Sequence, residues 1–225
     1  MELRKYKVGV LHNLYCMVRV DAVVFDVDGT LYKSAEYEKY LKESIYMVLG
    51  EILGIDYREA GMRLESLKKN LKTVSLSVEA MGIDRKRFYE LLAERVEPSI
   101  YIKPRLEVKN LLSKLREKKV KIGCHTNSGK RLFLKVIKAI NLSISDFDVI
   151  VTSDDADPKP LKNGYVLLSR LLEIPFNKIL YVGDRWEVEV KPAKELGMLT
   201  ALVYSRKGKP DFYLNDIIEI LKIIE

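Results

Sequence analysis

The chain carries one especially informative stretch, Val23-Val24-Phe25-Asp26-Val27-Asp28-Gly29-Thr30-Leu31. The apolar run from Ala22 to Phe25 predicts a buried strand, because buried parallel strands consist of nearly continuous apolar residues. Two carboxylates and a Gly-Thr pair follow at the end of the strand, where ligand sites of open α/β sheets lie. Acidic side chains at such a position are costly unless they bind a cation or take part in chemistry. The alternative interpretation is an ordinary Asp-Gly turn that ends the strand.

The composition indicates a folded domain of basic charge. The 225 residues are 48% hydrophobic, which is enough for a packed core, and the formal net charge of +7 suits an anionic substrate. Charged residues make up 32% and Gln is absent, a bias typical of proteins from high-temperature sources. Cys16 and Cys124 have no metal-ligand spacing, and no apolar run approaches the roughly 20 residues of a membrane span. We therefore expect a cytoplasmic protein without a membrane partner.

Two kinds of periodicity divide the chain after the first strand. Apolar residues recur at helical intervals over Ala35–Leu53, Tyr57–Leu71 and Asp84–Val96, with no convincing strand among them. From Pro104 onward, helical and strand patterns alternate, which predicts βαβ units and a parallel sheet. The predicted strands there are Val120–Cys124, Phe147–Val151, Ile179–Val182 and Leu199–Val203. The intervening helices are predicted from Pro104 to Lys118, Lys130 to Ile140, Leu161 to Leu172 and up to Gly197, with a last helix from Asp211 to Ile224.

Polar side chains follow each of the first four predicted strands. The sets are Asp26 and Asp28; His125, Thr126 and Asn127; Asp154, Asp155, Asp157 and Lys159; and Asp184 and Glu189. Because the carboxyl ends of parallel strands lie along one edge of the sheet, we expect these side chains to converge.

The converging residue types indicate phosphate chemistry. Asp26, Asp28 and Asp184 would repel one another without a hard divalent cation, and Mg²⁺ prefers a few carboxylates together with water and phosphate oxygens. A lysine and a hydroxyl group would meet the remaining phosphate oxygens. One carboxylate is able to act as a nucleophile and form an aspartyl-phosphate. A second would protonate the leaving oxygen and later deprotonate water.

Four short motifs together resemble those of the haloacid-dehalogenase-like (HAD) hydrolase superfamily. They are Asp26-Val-Asp28-Gly-Thr, Thr126-Asn127, Lys159-Pro160 and Gly183-Asp184, in this order from about Val20 onward. Each motif alone is weak, whereas the ordered set is specific. The resemblance implies an α/β fold, a Rossmann-like three-layer core with a parallel sheet and an inserted all-helical cap. The core would comprise residues 1–32 and 104–225, and the cap residues 33–103.

The resemblance also implies a role for each matched residue. Asp26 would be the nucleophile and Asp28 the general acid and base. The phosphate-binding residues would be Thr126, Asn127 and Lys159, although Asn127 is equally suited to cap the next helix. The Mg²⁺ ligands would be Asp26, Asp28 through its backbone carbonyl, Asp184 and Glu189.

Two features depart from the family pattern, and one residue favours a branch of it. Glu189 stands where the fourth motif usually carries a second Asp, so its direct ligation of the metal is open. Arg185 and Trp186 replace smaller or acidic residues, and either a salt bridge and a packed ring or substrate contact would explain them. Dehalogenating members lack an acidic residue at the position of Asp28, so its presence favours hydrolysis of a phosphate ester.

We therefore predict a Mg²⁺-dependent phosphatase that acts on a small phosphorylated metabolite, similar to phosphoglycolate phosphatases and pyrimidine nucleotidases. A phosphotransferase or phosphomutase with the same intermediate is the first alternative. A non-catalytic nucleic-acid-binding protein is the second, although no nucleic acid partner is expected because the basic residues are dispersed. The sequence leaves the oligomeric state open.

Overall fold

The computed structural model describes residues 17–225, and a six-stranded sheet forms its centre. The order of the strands is β3-β2-β1-β4-β5-β6, and every neighbouring pair is parallel. In chain order the strands are β1 (Ala22–Phe25), β2 (Lys121–His125), β3 (Val149–Val151), β4 (Ile179–Gly183), β5 (Leu199–Val203) and β6 (Phe212–Leu214).

Eight α-helices accompany the sheet in the described part of the chain. They are α1 (Ala35–Leu53), α2 (Tyr57–Leu71), α3 (Val74–Ala80), α4 (Arg85–Arg95), α5 (Leu106–Glu117), α6 (Lys130–Ala139), α7 (Asn163–Leu172) and α8 (Lys191–Glu195). A π-helical segment, Trp186–Val190, leads directly into α8. Short 3₁₀ helices cover Pro98–Ile100, Ile144–Asp146, Phe176–Lys178 and Ile217–Lys222.

The sheet is buried on both faces because alternate residues of each strand point to opposite sides. In β1, Val23 and Phe25 join a core cluster that contains residues of α5 and α6. Ala22 and Val24 join a second cluster that contains residues of α7 and α8. Helices therefore cover both faces, which confirms the predicted three-layer, Rossmann-like α/β fold.

The first four helices, α1 to α4, have clear start signals. The side chains of Ser34, Asp56, Thr73 and Asp84 accept hydrogen bonds from the first turns of α1, α2, α3 and α4. Such caps satisfy amide groups that have no partner within the helix. α1 and α2 have the predicted limits, whereas α3 was not predicted, because its seven residues are too few for a clear helical pattern.

The position of β1 in the sheet places the loop that contains Asp26 and Asp28 at the topological switch point. β1 pairs with β2 on one side and with β4 on the other. The chain builds β2 and β3 outward from β1 and then returns to build β4 on the opposite side. Ligand sites of open α/β sheets lie at such a point, outside the carboxyl ends of the strands.

The predicted C-terminal helix from Asp211 to Ile224 is wrong. Residues Phe212–Leu214 form the edge strand β6, and the later residues form only the 3₁₀ helix Ile217–Lys222. Parallel pairing of Val203 with Leu214 satisfies backbone groups that a helix would have bonded internally. The aromatic residues of this segment also favour a strand. Pairing with the open edge of β5 thus overrides the helical periodicity.

Several predicted limits differ by a few residues. The helix predicted to begin at Pro104 begins at Leu106, and that predicted from Leu161 begins at Asn163. The strand predicted from Phe147 begins at Val149. Within residues 17–225, none of the helices has the length and apolar character needed to cross a lipid bilayer. Cys124 is a buried free thiol, as its apolar surroundings predicted.

Candidate active site

A buried ion pair between Asp26 and Lys159 lies at the centre of the site. Asp26 is 2% exposed and Lys159 is fully buried. The Lys159 ammonium donates to Asp26 Oδ1 and, at 2.9 Å, to the carbonyl oxygen of His125. Thr30 Oγ1 donates to the other Asp26 oxygen at 2.9 Å. Burial first, and then the charge of Glu189, raise the pKa of Asp26 to about 6 despite the attraction of Lys159.

Asp26, Asp184 and Glu189 form an acidic cluster. One carboxylate oxygen from each lies within 4.8 Å of the other two. Asp184 Oδ1 is buried and has no hydrogen-bond partner. Burial, followed by the charges of Glu189 and Asp26, raises the pKa of Asp184 to about 8. Arg185 Nε lies 3.9 Å from Asp184 Oδ1, as an ion pair without a hydrogen bond. Carboxylate oxygens such as these three are the ligands that a hard divalent cation prefers.

Gly29 allows the loop after β1 to approach the cluster closely. Its φ is +88°, which disfavours residues with a side chain, and a Cβ atom there would lie 2.5 Å from Asp184 Oδ2. The glycine therefore brings the backbone between Asp28 and Thr30 against the carboxylate of Asp184.

The carboxylate of Glu189 is fully buried and held by two basic residues. Arg185 Nε donates to Glu189 Oε1 at 2.9 Å, and the backbone N–H of Arg185 donates to Oε2 at 3.2 Å. Lys159 Nζ lies 3.7 Å from Glu189 Oε1. Burial would raise the pKa of Glu189, but Arg185 and Lys159 lower it overall. The π-helical segment Trp186–Val190 carries Glu189, and such segments are common at functional sites.

The side chain of Asp28 faces hydroxyl groups. Tyr32 Oη donates to Asp28 Oδ1 at 2.5 Å. Ser128 Oγ and Thr126 Oγ1 lie 3.2 and 3.4 Å from Asp28 Oδ2. Two carboxyl groups of one motif thus have different surroundings, since Asp26 is paired with a lysine and Asp28 with hydroxyls.

The loop after β2 brings Thr126 and Asn127 to the same edge. Thr126 is buried, and its hydroxyl accepts from the backbone N–H of Ser128 at 3.0 Å. Asn127 makes two bonds to the backbone of Lys159, one from Nδ2 to the carbonyl at 3.0 Å and one from the Lys159 N–H to Oδ1 at 2.8 Å. Asn127 therefore joins the loops after β2 and β3 and does not cap α6, whose N-cap is Gly129.

The sequence left the roles of Arg185, Trp186 and His125 open, and each of them has defined contacts in the structure. Arg185 forms the salt bridge to Glu189 described above. Trp186 packs against Gly208, where a Cβ atom would lie 2.3 Å from the indole. His125 is buried, with its ring edge-on to Tyr165 and Tyr181.

Three residues that contact the candidate catalytic carboxylates were missed by sequence reasoning: Thr30, Tyr32 and Ser128. Thr30 belongs to the first motif, so its position was a usable signal. Tyr32 and Ser128 meet Asp28 only through the paths of two loops, and no local pattern in the sequence indicates these contacts.

Known proteins resemble this chain in sequence and fold. A profile of the haloacid dehalogenase-like hydrolase family matches residues 20–197. Glyceraldehyde 3-phosphate phosphatase of Methanopyrus kandleri is 28% identical over 91% of this chain and 97% of its own. Phosphoglycolate phosphatase of Aquifex aeolicus is 29% identical over 90% of this chain and 96% of its own. A crystal structure of a HAD phosphatase from Thermococcus onnurineus has a TM-score of 0.67 and 26% identity, covering 90% and 97% of the two chains.

The chain belongs to the haloacid dehalogenase-like hydrolase family, because the match extends over most of its length. The predicted resemblance is thereby confirmed. The phosphatase relatives support the predicted enzyme class, a phosphoric monoester hydrolase. Hydrolases of this family generally use Mg²⁺, and the acidic cluster supplies oxygen ligands of the required kind.

Proposed function

We propose that this protein is a Mg²⁺-dependent phosphatase that hydrolyses a small phosphorylated metabolite through a phosphoryl group carried on Asp26. The observation that carries the proposal is the buried Asp26–Lys159 pair beside Asp184, with the hydroxyl-bonded carboxyl of Asp28 two residues from the nucleophile. A purely structural site would have little use for so many buried charges, which are costly to remove from water.

The residues present fit a magnesium ion. Asp26, Asp184 and the backbone carbonyl of Asp28 would supply protein ligands, and Asp184 Oδ1 is buried without a hydrogen-bond partner and would be free to bind the ion. When bound, the ion would offset the negative charge of the carboxylates and of the substrate phosphate. Glu189, bonded to Arg185 and close to Lys159, would chiefly hold those two cations in place.

In the first step, a carboxylate oxygen of Asp26 attacks the phosphorus atom of the substrate. The bond from phosphorus to the ester oxygen breaks, and Asp28 donates a proton to that oxygen as the alcohol leaves. Lys159 and the Thr126 hydroxyl would stabilise charge on the phosphoryl oxygens. Asn127 would fix Lys159 through its two backbone bonds.

In the second step, Asp28 removes a proton from water as the water oxygen attacks the phosphorus of the acyl phosphate. The bond between phosphorus and Asp26 breaks, which releases inorganic phosphate and the free carboxylate. Asp28 is then protonated again, ready for the next substrate, so that one group serves as acid and then as base.

Residues 33–103, which contain α1 to α4, would form a cap, and residues 1–32 and 104–225 would form the core. Their contacts with the core support this division. Ser75 Oγ of α3 donates to the carbonyl of Asn127 at 3.2 Å, and Arg85 Nη2 of α4 donates to the carbonyl of Ser153 at 2.8 Å. Both contacts lie beside the loops that carry the candidate catalytic residues, so the cap would exclude bulk water during the reaction.

The relatives suggest the size of the substrate. Two of them are phosphatases for glyceraldehyde 3-phosphate and phosphoglycolate, both short phosphate esters. We propose a substrate of this class and a cytoplasmic location for the protein.

The test is the release of phosphate from phenyl phosphate, 2-phosphoglycolate and glyceraldehyde 3-phosphate, with Mg²⁺ or with a chelator. Wild-type protein should release phosphate only with the metal, and Asp26→Asn should lose the activity. Equal rates in the two proteins would exclude Asp26 as the nucleophile. Added acceptor alcohols would reveal a phosphotransferase if the phosphoryl group reached them instead of water.

A further inference from the structure

Tyr37 is a buried tyrosine whose hydroxyl group has no hydrogen-bond partner. Its side chain is 1% exposed, and its oxygen is one of three buried side-chain atoms without a partner among residues 17–225. Leaving a buried hydroxyl unpaired costs about 1–3 kcal/mol, so such a group in a native protein needs an explanation.

The other buried tyrosines of the described chain all have partners. The contacts are Tyr32 with Asp28, Tyr89 with Ser75, Tyr165 with the carbonyl of Glu189 and Tyr181 with His125. A phenylalanine at position 37 would fill the same space without an unsatisfied group. The hydroxyl is therefore best explained by a partner that is present only when a ligand is bound.

The position of Tyr37 indicates that this ligand binds in the candidate active site. Tyr37 lies in the first turn of α1, where its backbone N–H donates to the capping hydroxyl of Ser34. Its ring centre lies 6.0 Å from that of Tyr32, whose hydroxyl bonds to Asp28. The pKa of Tyr37 is raised, first by burial and next by the charge of Asp28.

The side of the site that faces Asp28 is the side of the leaving group. Under the proposed function, Asp28 donates its proton to the ester oxygen, so the organic part of the substrate extends from there. Tyr32 contacts one carboxylate oxygen of Asp28. Ser128 and Thr126 face the other carboxylate oxygen. A phenolic hydroxyl on the Tyr32 side would therefore meet oxygens on the organic part of the substrate.

We propose that Tyr37 is a specificity-determining residue that donates a hydrogen bond to an oxygen on the organic part of the substrate. This inference rests on the proposed function and deepens it. The ligand class is a short phosphate ester that carries a carboxylate, carbonyl or hydroxyl oxygen close to the ester oxygen. An ester without such an oxygen leaves the Tyr37 hydroxyl unpaired and is discriminated against.

The experiment compares wild type with Tyr37→Phe, which removes only the hydroxyl. The kcat/KM values are measured with 2-phosphoglycolate and glyceraldehyde 3-phosphate, which carry such oxygens, and with phenyl phosphate, which does not. The variant should lose about tenfold in kcat/KM on the better of the two oxygen-bearing esters and none on phenyl phosphate. Without substrate, its Tm should equal or exceed that of the wild type, because an unpaired buried group is removed.

Tyr89→Phe is the matched control, since it deletes a buried tyrosine hydroxyl that already has a partner in Ser75. It should lower Tm and leave the ratio of kcat/KM between the two kinds of ester unchanged.

Three outcomes would overturn the inference. They are an equal loss on all three substrates in Tyr37→Phe, no loss on any of them, or a fall in Tm like that of the control. If the wild-type protein had no Mg²⁺-dependent activity on any of the three esters, the proposed function would be refuted, and the inference with it.

Discussion

Lys159 is a fully buried ammonium group whose charge is offset by carboxylates on two other segments of the chain. Asp26 bonds to it directly, and Glu189 lies 3.7 Å away. Burial would lower the pKa of Lys159, but these two charges raise it overall, so the amine stays protonated. Charges buried in this way depend on exact placement, because removal of one partner leaves the others uncompensated.

We predict that Asn127→Ala weakens both the fold and the activity. The substitution leaves the N–H and carbonyl groups of Lys159 without their side-chain partner, and the expected loss of unfolding free energy is about 1–3 kcal/mol. The kcat should also fall, because Lys159 is no longer fixed. Chemical denaturation and steady-state kinetics measure the two effects.

Asn177→Ala is the control for this prediction: the position is exposed, its side chain makes no hydrogen bond within residues 17–225, and the substitution should change stability by less than about 0.5 kcal/mol. If Asn127→Ala matched that control in both stability and kcat, the positioning role of Asn127 would be refuted.

We predict that His125 makes stability depend on pH in acid. Burial first, and then the charge of Lys159, hold the pKa of His125 well below its ordinary value of 6.5. The folded protein therefore keeps this histidine neutral at a pH where the unfolded chain protonates it. Unfolding then takes up a proton, and stability from this group is lost as pH falls below 6.5, at up to about 1.4 kcal/mol per pH unit.

His125→Phe removes the titrating group while the other titrating groups are common to both proteins. Unfolding free energies at several values between pH 7 and pH 5, measured with a chelator present, should fall more steeply for the wild type. Parallel curves would show that His125 titrates normally in the folded protein.

At the level of secondary structure, the edge strand β6 depends on Asp211. Asp211 Oδ2 accepts from the backbone N–H and the hydroxyl of Thr200 on β5, at 2.9 and 2.7 Å. Lys194 Nζ donates to its other oxygen at 2.6 Å. The carboxylate thus fixes the chain that enters β6 to the start of β5, which helps to explain why a strand forms here instead of the predicted helix.

We predict that Asp211→Ala loosens this edge of the sheet without disturbing its centre. Two hydrogen bonds to Thr200 are lost, and the expected cost is about 1 kcal/mol because the site is partly exposed. Amide hydrogen exchange should become faster in β6 and at Thr200 and stay unchanged in β1 and β4. Lys194→Ala, which removes only the ion pair, should have a smaller effect, and a larger effect would contradict this explanation.

At the scale of the whole molecule, the parts that sequence could predict are those that depend on local pattern. β1, β5, α1 and α2 have the predicted limits because apolar runs and helical periodicity specify them. The convergence of Asp26, Asp28, Lys159 and Asp184 was also predictable, since parallel strands bring their carboxyl ends to one edge.

The remaining features depend on contacts between segments that are far apart in the chain. Asn127 bonds to Lys159 across 32 residues, and β6 forms by pairing with β5. The unpartnered hydroxyl of Tyr37 is defined by everything packed around it. No periodicity or composition within a single segment contains this information.

The most direct test of the account is the identity of the residue that carries the phosphoryl group. In Asp28→Asn, an aryl phosphate with a good leaving group should still phosphorylate the enzyme, because departure of that group needs little proton donation. The hydrolytic step should be slow because the general base is missing. After acid quenching, peptide mass spectrometry should therefore find the phosphoryl group on Asp26. A phosphoryl group found on another residue would contradict the central claim that Asp26 is the nucleophile.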